Sequence, residues 1–333
     1  MSRVKKLLKL FRDRTSSERG DTTIKTNEVS TKLHAWIYYG APGQHAPDTY
    51  KNNEINVLRV QYFNLLDTGI LQRVDEDPSD LFNTQNGFSE KNVQELKKYS
   101  SEQLVTVAGH TCGIRALAET NKSSEIITTL TNFVAEYQLT GIDIDFESYG
   151  EWGDEDYDIY KKFIYMLGTR LKQINKKLAI CGPAWTSKQS PMRWRYEDFV
   201  SLPVDYVTPM VYDYQCHYGG GQPICPLAWL KRWTIDMNKI FHNDRLVIGL
   251  PSYGYLSTVD RYEPKNLTLE EIKEQNGYHG GQRDHSSGEI IKTVGDMVYV
   301  SNDRESMNIK RKLVEDLGVR QVAVWHLGGN DWF

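Results

Sequence analysis

Short apolar, β-branched runs recur along the chain, each followed by a polar stretch or a helical pattern. They are KLHAWIYYG from Lys32, INVLRVQYFNL from Ile55, QLVTVAGH from Gln103, LTGIDIDFE from Leu139, KLAICGPAW from Lys177, VDYVTPMVYDY from Val204, RLVIGLPSYGY from Arg245 and VRQVAVWHLGG from Val319. Between the fourth and fifth, Ile159, Phe163, Leu167, Leu171 and Ile174 recur every three or four residues. That spacing predicts a helix with one apolar stripe. Asp154, Glu155 and Asp156 crowd its start and Lys176 and Lys177 its end, as the helix dipole favours. A second helix is predicted from Arg304 to Leu317.

Strand-like runs alternating with helices indicate parallel α/β architecture. The count of eight favours a closed (β/α)8 TIM barrel over a doubly wound sheet. So does the collection of polar and aromatic residues at the C-terminal ends of runs, where barrel active sites lie: Glu147, Trp185, Tyr212 with Asp213, Tyr253, and Trp325 with His326. The long connection from Leu256 to Gly318 contains the polar piece SSGEIIKTVGDMVYVS. It reads as a short insertion between strands 7 and 8, not a second domain. The barrel is expected over 32–333. Residues 1–31 read as a flexible, basic and polar N-terminal arm, with a short helix from Arg3 to Arg12 that is either simply exposed or a docking or membrane-surface element.

The fourth run holds Asp143, Asp145 and Glu147 at alternate positions, with Ile144 and Phe146 between them. A strand sends alternate side chains to opposite faces. If Ile144 and Phe146 pack against helices, all three acids face the barrel interior, with Asp143 deepest and Glu147 at the mouth. Neighbouring acids lie roughly 6–7 Å apart along the strand. Burial and like charge both raise carboxyl pKa values, so at least one acid is expected to hold a proton near neutral pH. A general acid fits this pattern. A hard-cation site is the other chemical reading, but no matching set of acids or histidines converges from neighbouring runs, so neither metal nor cofactor is expected.

Composition narrows the partners. A net charge of -4 argues against a general nucleic-acid binder. No apolar run approaches the ~20 residues that span a bilayer. Lys9 interrupts the only apolar patch near the start, so no signal peptide is expected, leaving a cytoplasmic location or export without a cleavable leader. Cys112, Cys181, Cys216 and Cys225 match no zinc spacing and are expected as free thiols; Cys216 and Cys225 are close enough to pair in an oxidising space. The 20 Tyr and 8 Trp suit either packing or a platform for sugar rings. Trp36, Tyr38 and Trp185 lie at or near strand ends, where sugar stacking and core packing are both open. Trp152, in the loop after the acids, is a candidate for flanking a leaving-group site. His110 and His326 read as hydrogen-bonding residues. A monomer is expected.

TGIDIDFE resembles the D-G-x-D-x-D-x-E signature of glycoside hydrolase family 18, the chitinase and endo-β-N-acetylglucosaminidase family, with Thr140 in place of the leading Asp. PMVYDY resembles the family's M-x-Y-D/N strand through Met210, Tyr212 and Asp213. VIGLPSYGY resembles G-L-P-x-Y-G, and the stretch ending in Trp325 resembles its last helix and strand. The likeness covers about Leu33 to Asp331. The resemblance implies a retaining hydrolase of β-1,4-linked N-acetylglucosamine glycans in which the substrate's own acetamido oxygen is the nucleophile. Chitin or chitooligosaccharides, peptidoglycan and N-glycan cores are the implied partners, with a non-catalytic lectin-like relative as the alternative. It implies Glu147 as acid then base, Asp145 as the group holding the acetamido N–H, and Asp143 as its proton-sharing neighbour. Tyr212 would donate to the acetamido oxygen, Asp213 would hold the acetamido group or the scissile sugar, Met210 would pack beneath, and Trp325 would floor the sugar. Where the family's third strand carries S-x-G-G, this chain has Val107, Ala108, Gly109 and His110. The connection from strand 7 to strand 8 is shorter than in many family chitinases, implying a shallower cleft.

Overall fold

The computed structural model describes residues 31–37, 55–75, 87–184, 193–242, 244–259, 264–330 and 332–333. Tyr38, Trp185 and residues 1–30 of the expected N-terminal arm, with the helix expected from Arg3 to Arg12, lie outside them. Strands β1 (Lys32–Ile37) and β2 (Val57–Leu65) are followed by a short antiparallel partner of β2, β3 (Leu71–Arg73). Then come β4 (Glu102–Gly109), β5 (Gly141–Phe146), β6 (Lys177–Pro183), β7 (Tyr206–Met210) and β8 (Ile248–Pro251). Strands β9 (Gly254–Thr258), β10 (Lys265–Leu267), β11 (Gln282–Arg283), β12 (Ile290–Val294) and β13 (Met297–Ser301) build a separate antiparallel sheet. β14 (Gln321–Trp325) returns to the first sheet.

That first sheet runs β1-β14-β8-β7-β6-β5-β4-β2, all parallel, and β1 also pairs with β2. The ring is therefore closed, and the fold is a (β/α)8 TIM barrel. The alternation along each strand explains why. Leu33, Ala35, Leu58, Val60, Ile142, Ile144, Leu178 and Ile180 lie in the large core between barrel and helices. Trp36, Val57, Leu104, Ala179, Cys181, Tyr206 and Ala323 form a separate cluster inside the barrel. Each strand needs burial on both faces, which closure supplies.

Around the barrel lie α1 (Glu90–Leu96), α2 (Thr111–Ala116), α3 (Lys122–Glu136), α4 (Asp154–Gln173), α5 (Gln215–Tyr218) and α6 (Leu227–Ile240). A short α7 (Leu269–Lys273) belongs to the insertion, and α8 (Arg304–Asp316) precedes β14. α4 is the first predicted helix. Phe163, Leu167 and Leu171 are buried as its stripe requires, and Asp156 accepts the Gly153 N–H at its N-terminus. Lys177 departs from expectation. It opens β6, and its Nζ reaches Glu102 and the Tyr206 hydroxyl at the barrel floor (2.7 and 2.8 Å), where Lys32 joins the same two groups.

The run from Arg245 also departs. It breaks at Ser252 and Tyr253, so that β8 stays in the barrel while β9 leaves to start the insertion sheet, ordered β10-β9-β13-β12-β11. The polar piece from Ser286 contains the β12–β13 hairpin, with Val294 opposite Met297 and Gly295 turning at φ 58°.

Candidate active site

Asp143 is wholly buried inside the barrel. Its Oδ2 accepts from Trp36 Nε1 (2.9 Å) and Thr106 Oγ1 (3.0 Å). Its Oδ1 accepts from Arg59 Nη1 (3.2 Å) and the Cys181 thiol (3.6 Å). The Arg59 guanidinium lies 4.8 Å from the Trp36 ring centre. The deepest rung is therefore surrounded by donors, one of them cationic.

Asp145 is also buried, and its Oδ1 has no hydrogen-bond partner. Burial, followed by the charges of Glu147 and Asp143, pushes its pKa well above the usual carboxylate range; the Cys181 thiol and Arg59 partly oppose this. Glu147 follows the end of β5 and stands at the rim, where its side chain is open to solvent although protein atoms crowd round it. Desolvation and the nearby Asp213 charge raise it to about 7. Its backbone is held at both ends: the N–H donates to Gly109 O (2.8 Å), and the C=O accepts from Trp152 Nε1 (3.2 Å).

Glu147, Met210, Tyr212 and Asp213 share one cavity of about 270 Å³, with Cys216 and His217 on its wall. Met210 ends β7, so the next turns of chain bring Tyr212 and Asp213 to the barrel mouth. Asp213 adopts φ 64°, a left-handed conformation that Asp tolerates better than most residues. Its Oδ1 accepts from the Tyr253 hydroxyl and from Gln215 Nε2 (3.2 Å). Burial raises its pKa, and those two bonds oppose the rise. Tyr212 lies parallel to Trp325, with centres 6.4 Å apart, and Tyr253 meets Trp325 edge-on at 5.0 Å. Burial keeps the Tyr212 phenol well above its usual pKa and hence a donor near neutral pH. The outermost of the period-two acids thus shares a cavity with a tyrosine and a carboxyl at the carboxyl end of the barrel, and Trp325 stacks on that tyrosine.

The sequence model described as glycosyl hydrolases family 18 matches residues 34–330. The chain belongs to that family of glycosidases. At 20% identity over 226 residues it is similar to YvbX of Bacillus subtilis, named as an uncharacterised glycosylase; the match covers 64% of this chain and 64% of that protein. The fold is similar to a chitinase of Chromobacterium violaceum (TM-score 0.73, 18% identity, 91% of this chain and 96% of that one). It is also similar to a class V chitinase of Pseudomonas fluorescens (TM-score 0.70, 20% identity, 90% and 96%). The spore cortex-lytic enzyme SleL of Bacillus megaterium shares it as well (TM-score 0.68, 17% identity, 90% and 71%).

Within this family 18 barrel, two sequence expectations need correction. Trp36 is 3% exposed, with the Arg59 guanidinium near its ring and its N–H given to Asp143. It supports the acids from below and has no face to offer a sugar. Trp152, at 4% exposure, packs on Tyr149, Tyr160 and Trp194 and anchors the Glu147 carbonyl instead of flanking a binding site. The third strand supplies its hydroxyl at Thr106, one residue before the stretch compared with S-x-G-G.

Arg59 and Thr106, which the sequence reading does not name, hold Asp143 together with Cys181, expected only as a free thiol; Tyr253, expected only as one of the aromatics at the strand ends, holds Asp213. A parity signal for Arg59 was present. Val57, Arg59 and Gln61 alternate with Leu58, Val60 and Tyr62, and the latter face the helices. His326 is buried, its pKa lowered to about 4, with Nδ1 3.0 Å from Leu327 O; His110 Nδ1 lies 3.4 Å from Ser148 Oγ. All four cysteines are free. Among the described residues no group of three or more His, Cys, Asp and Glu is placed to hold a metal ion, and no helix is long and apolar enough to cross a membrane.

Proposed function

We propose that the chain hydrolyses β-1,4-linked N-acetylglucosamine glycans with retention, the substrate's acetamido oxygen serving as nucleophile. The observation that carries this reading is the division of labour along β5. One acid is saturated with donors, the next is buried and short of a partner, and the third stands at the cavity with a pKa of about 7. Glu147 protonates the leaving oxygen and then, as carboxylate, activates the water. Attack by the acetamido oxygen forms an oxazolinium; water opens it from the same face as the departed group, restoring the configuration. Asp145 meets the acetamido N–H. Tyr212 donates to the acetamido oxygen and fixes its line of attack, an orientational contribution. Asp213 positions the sugar, with Met210 beneath and Trp325 beside the Tyr212 wall. A non-catalytic relative would have no use for a glutamate tuned in this way.

Chitin oligomers are the first substrate class to test. Peptidoglycan strands are the second, because the barrel is similar to one named as a spore cortex-lytic enzyme. A panel of chitotriose, peptidoglycan and high-mannose glycoprotein, assayed with and without a chelator, distinguishes these. Cleavage indifferent to chelator, inhibited by an N-acetylglucosamine thiazoline and reduced at least ~10²-fold in Glu147→Gln is expected. Binding without turnover on the whole panel would favour a lectin-like role. Activity abolished by the chelator, or unaffected in Glu147→Gln, would refute the proposal.

A further inference from the structure

We propose that Arg59 is a positioning residue that fixes where the acid ladder keeps its proton, holding Asp143 as the anion and leaving the proton to Asp145. The catalytic consequence rests on the hydrolase reading above, whereas the placement rests on the donors around each acid.

Arg59 and Asp143 both have fully buried side chains, 3.2 Å apart. The guanidinium is held from other directions too. The Trp36 ring lies 4.8 Å from it, and Nη2 is 3.2 Å from His34 Nδ1. Burial and the adjacent Arg59 keep His34 neutral, so Nδ1 accepts from the guanidinium while Nε2 pairs with Gln321 Oε1 at 3.2 Å. Asp143 then has Trp36 and Thr106 on one oxygen and Arg59 on the other, where the single proton of the Cys181 thiol is shared with Asp145. A proton on Asp143 would displace one of them. Asp145 presents the opposite case, a buried oxygen with no donor, where an anion is costly and a neutral acid much less so.

The remaining charges leave this contrast intact. Glu147 stands above Asp145 and disfavours a second anion there, while Asp213, across the cavity, acts on Glu147. Cys181, Tyr149 and Tyr212 are held in their protonated forms by burial. At the floor, Lys32 and Lys177 are engaged with Glu102 and the Tyr206 hydroxyl. Among the described residues the cation in contact with Asp143 is Arg59. A ladder that left its proton on Asp143 would put an anion at Asp145, next to Glu147, before any sugar arrived.

The test is ¹³C NMR of the full chain labelled at the aspartate carboxyl carbons, with the two resonances assigned by Asp143→Asn and Asp145→Asn. At neutral pH the Asp143 carbon is expected at the ionised position and the Asp145 carbon at the protonated one. In Arg59→Met the two are expected to exchange: Asp143 moves to the protonated position and Asp145 to the ionised one. Arg59→Lys is expected to retain the wild-type pattern. An Asp143 carbon already protonated, or one proton averaged over both acids in wild type, overturns the proposal. So does an Asp143 carbon that stays ionised in Arg59→Met. If Arg59→Met does not fold, the wild-type spectrum still decides. Because the readout needs no substrate, an inactive protein with the expected spectrum would sink the hydrolase reading and leave the role of Arg59 standing.

Discussion

Glu147 carries opposite pH signatures in catalysis and in stability. As a general acid it must be protonated, so kcat/KM is expected to fall as pH rises through about 7, its value in the folded protein. For folding, its pKa is raised above the ordinary 4.5, so the folded state binds more protons than the unfolded state between those values. Its contribution to stability is therefore full below 4.5 and is lost as pH rises through about 7. Asp145 acts in the same direction. Glu147→Gln is expected to be inactive yet to lose less stability than wild type over this interval, as read from melting curves at a series of pH values. Parallel curves for the two proteins would contradict it. The period-two acids were legible because alternation on a strand needs no tertiary information. Arg59 was less so: a lone basic residue in an apolar run normally marks an exposed face, and only the parity of Leu58 and Val60 contradicts that.

At the scale of elements, the pairing of β4 with β5 decides where Glu147 stands. Gly109 lies opposite Phe146 in the register, and its carbonyl receives the Glu147 N–H. A Cβ built on Gly109 would lie 2.8 and 3.0 Å from the Phe146 ring and 3.2 Å from Leu65 Cβ. Both are packed in the core, so a methyl there pushes the two strand ends apart. Gly109→Ala is expected to cost about 1–3 kcal/mol in urea unfolding, as overpacking does, and to lower kcat by displacing Glu147. Phe146→Leu in the same chain should recover part of both losses; no recovery would mean that the ring is not the obstacle. The eight barrel strands were readable as apolar runs because each is buried on both faces. The insertion reads as a polar piece because its strands are short and antiparallel and because β10, β11 and β12 are largely uncovered. The hairpin signal was present nonetheless in Gly295–Asp296 between IIKTV and MVYVS.

At the scale of the molecule, the insertion and the barrel mouth are joined through a buried charge cluster. Lys310 on α8 and Glu289 before β12 are 3.1 Å apart, with side chains fully buried. Lys310 Nζ also donates to Asn302 Oδ1 (2.6 Å), and Asn302 Nδ2 donates to the Tyr253 carbonyl (3.1 Å). The Glu289 oxygens accept the backbone N–H groups of Ile224 and Cys225 (2.7 and 2.8 Å). Those two residues end the loop that carries Asp213, Cys216 and His217, and the Tyr253 hydroxyl reaches Asp213. One cluster thus steadies two supports of the cavity wall. A buried ion pair is weak evidence of net stabilisation, but removing one partner leaves the other charge uncompensated, at about 3–5 kcal/mol. Lys310→Met is accordingly expected to destabilise by that amount in denaturant unfolding and to raise KM through the loosened loop. Glu289→Gln added to it removes the stranded charge while keeping an acceptor for the loop, so the double variant should be more stable than Lys310→Met alone. If the two losses simply add, the cluster is not a coupled unit, and the insertion steadies the mouth through its apolar contacts among Ile224, Tyr253 and Tyr255.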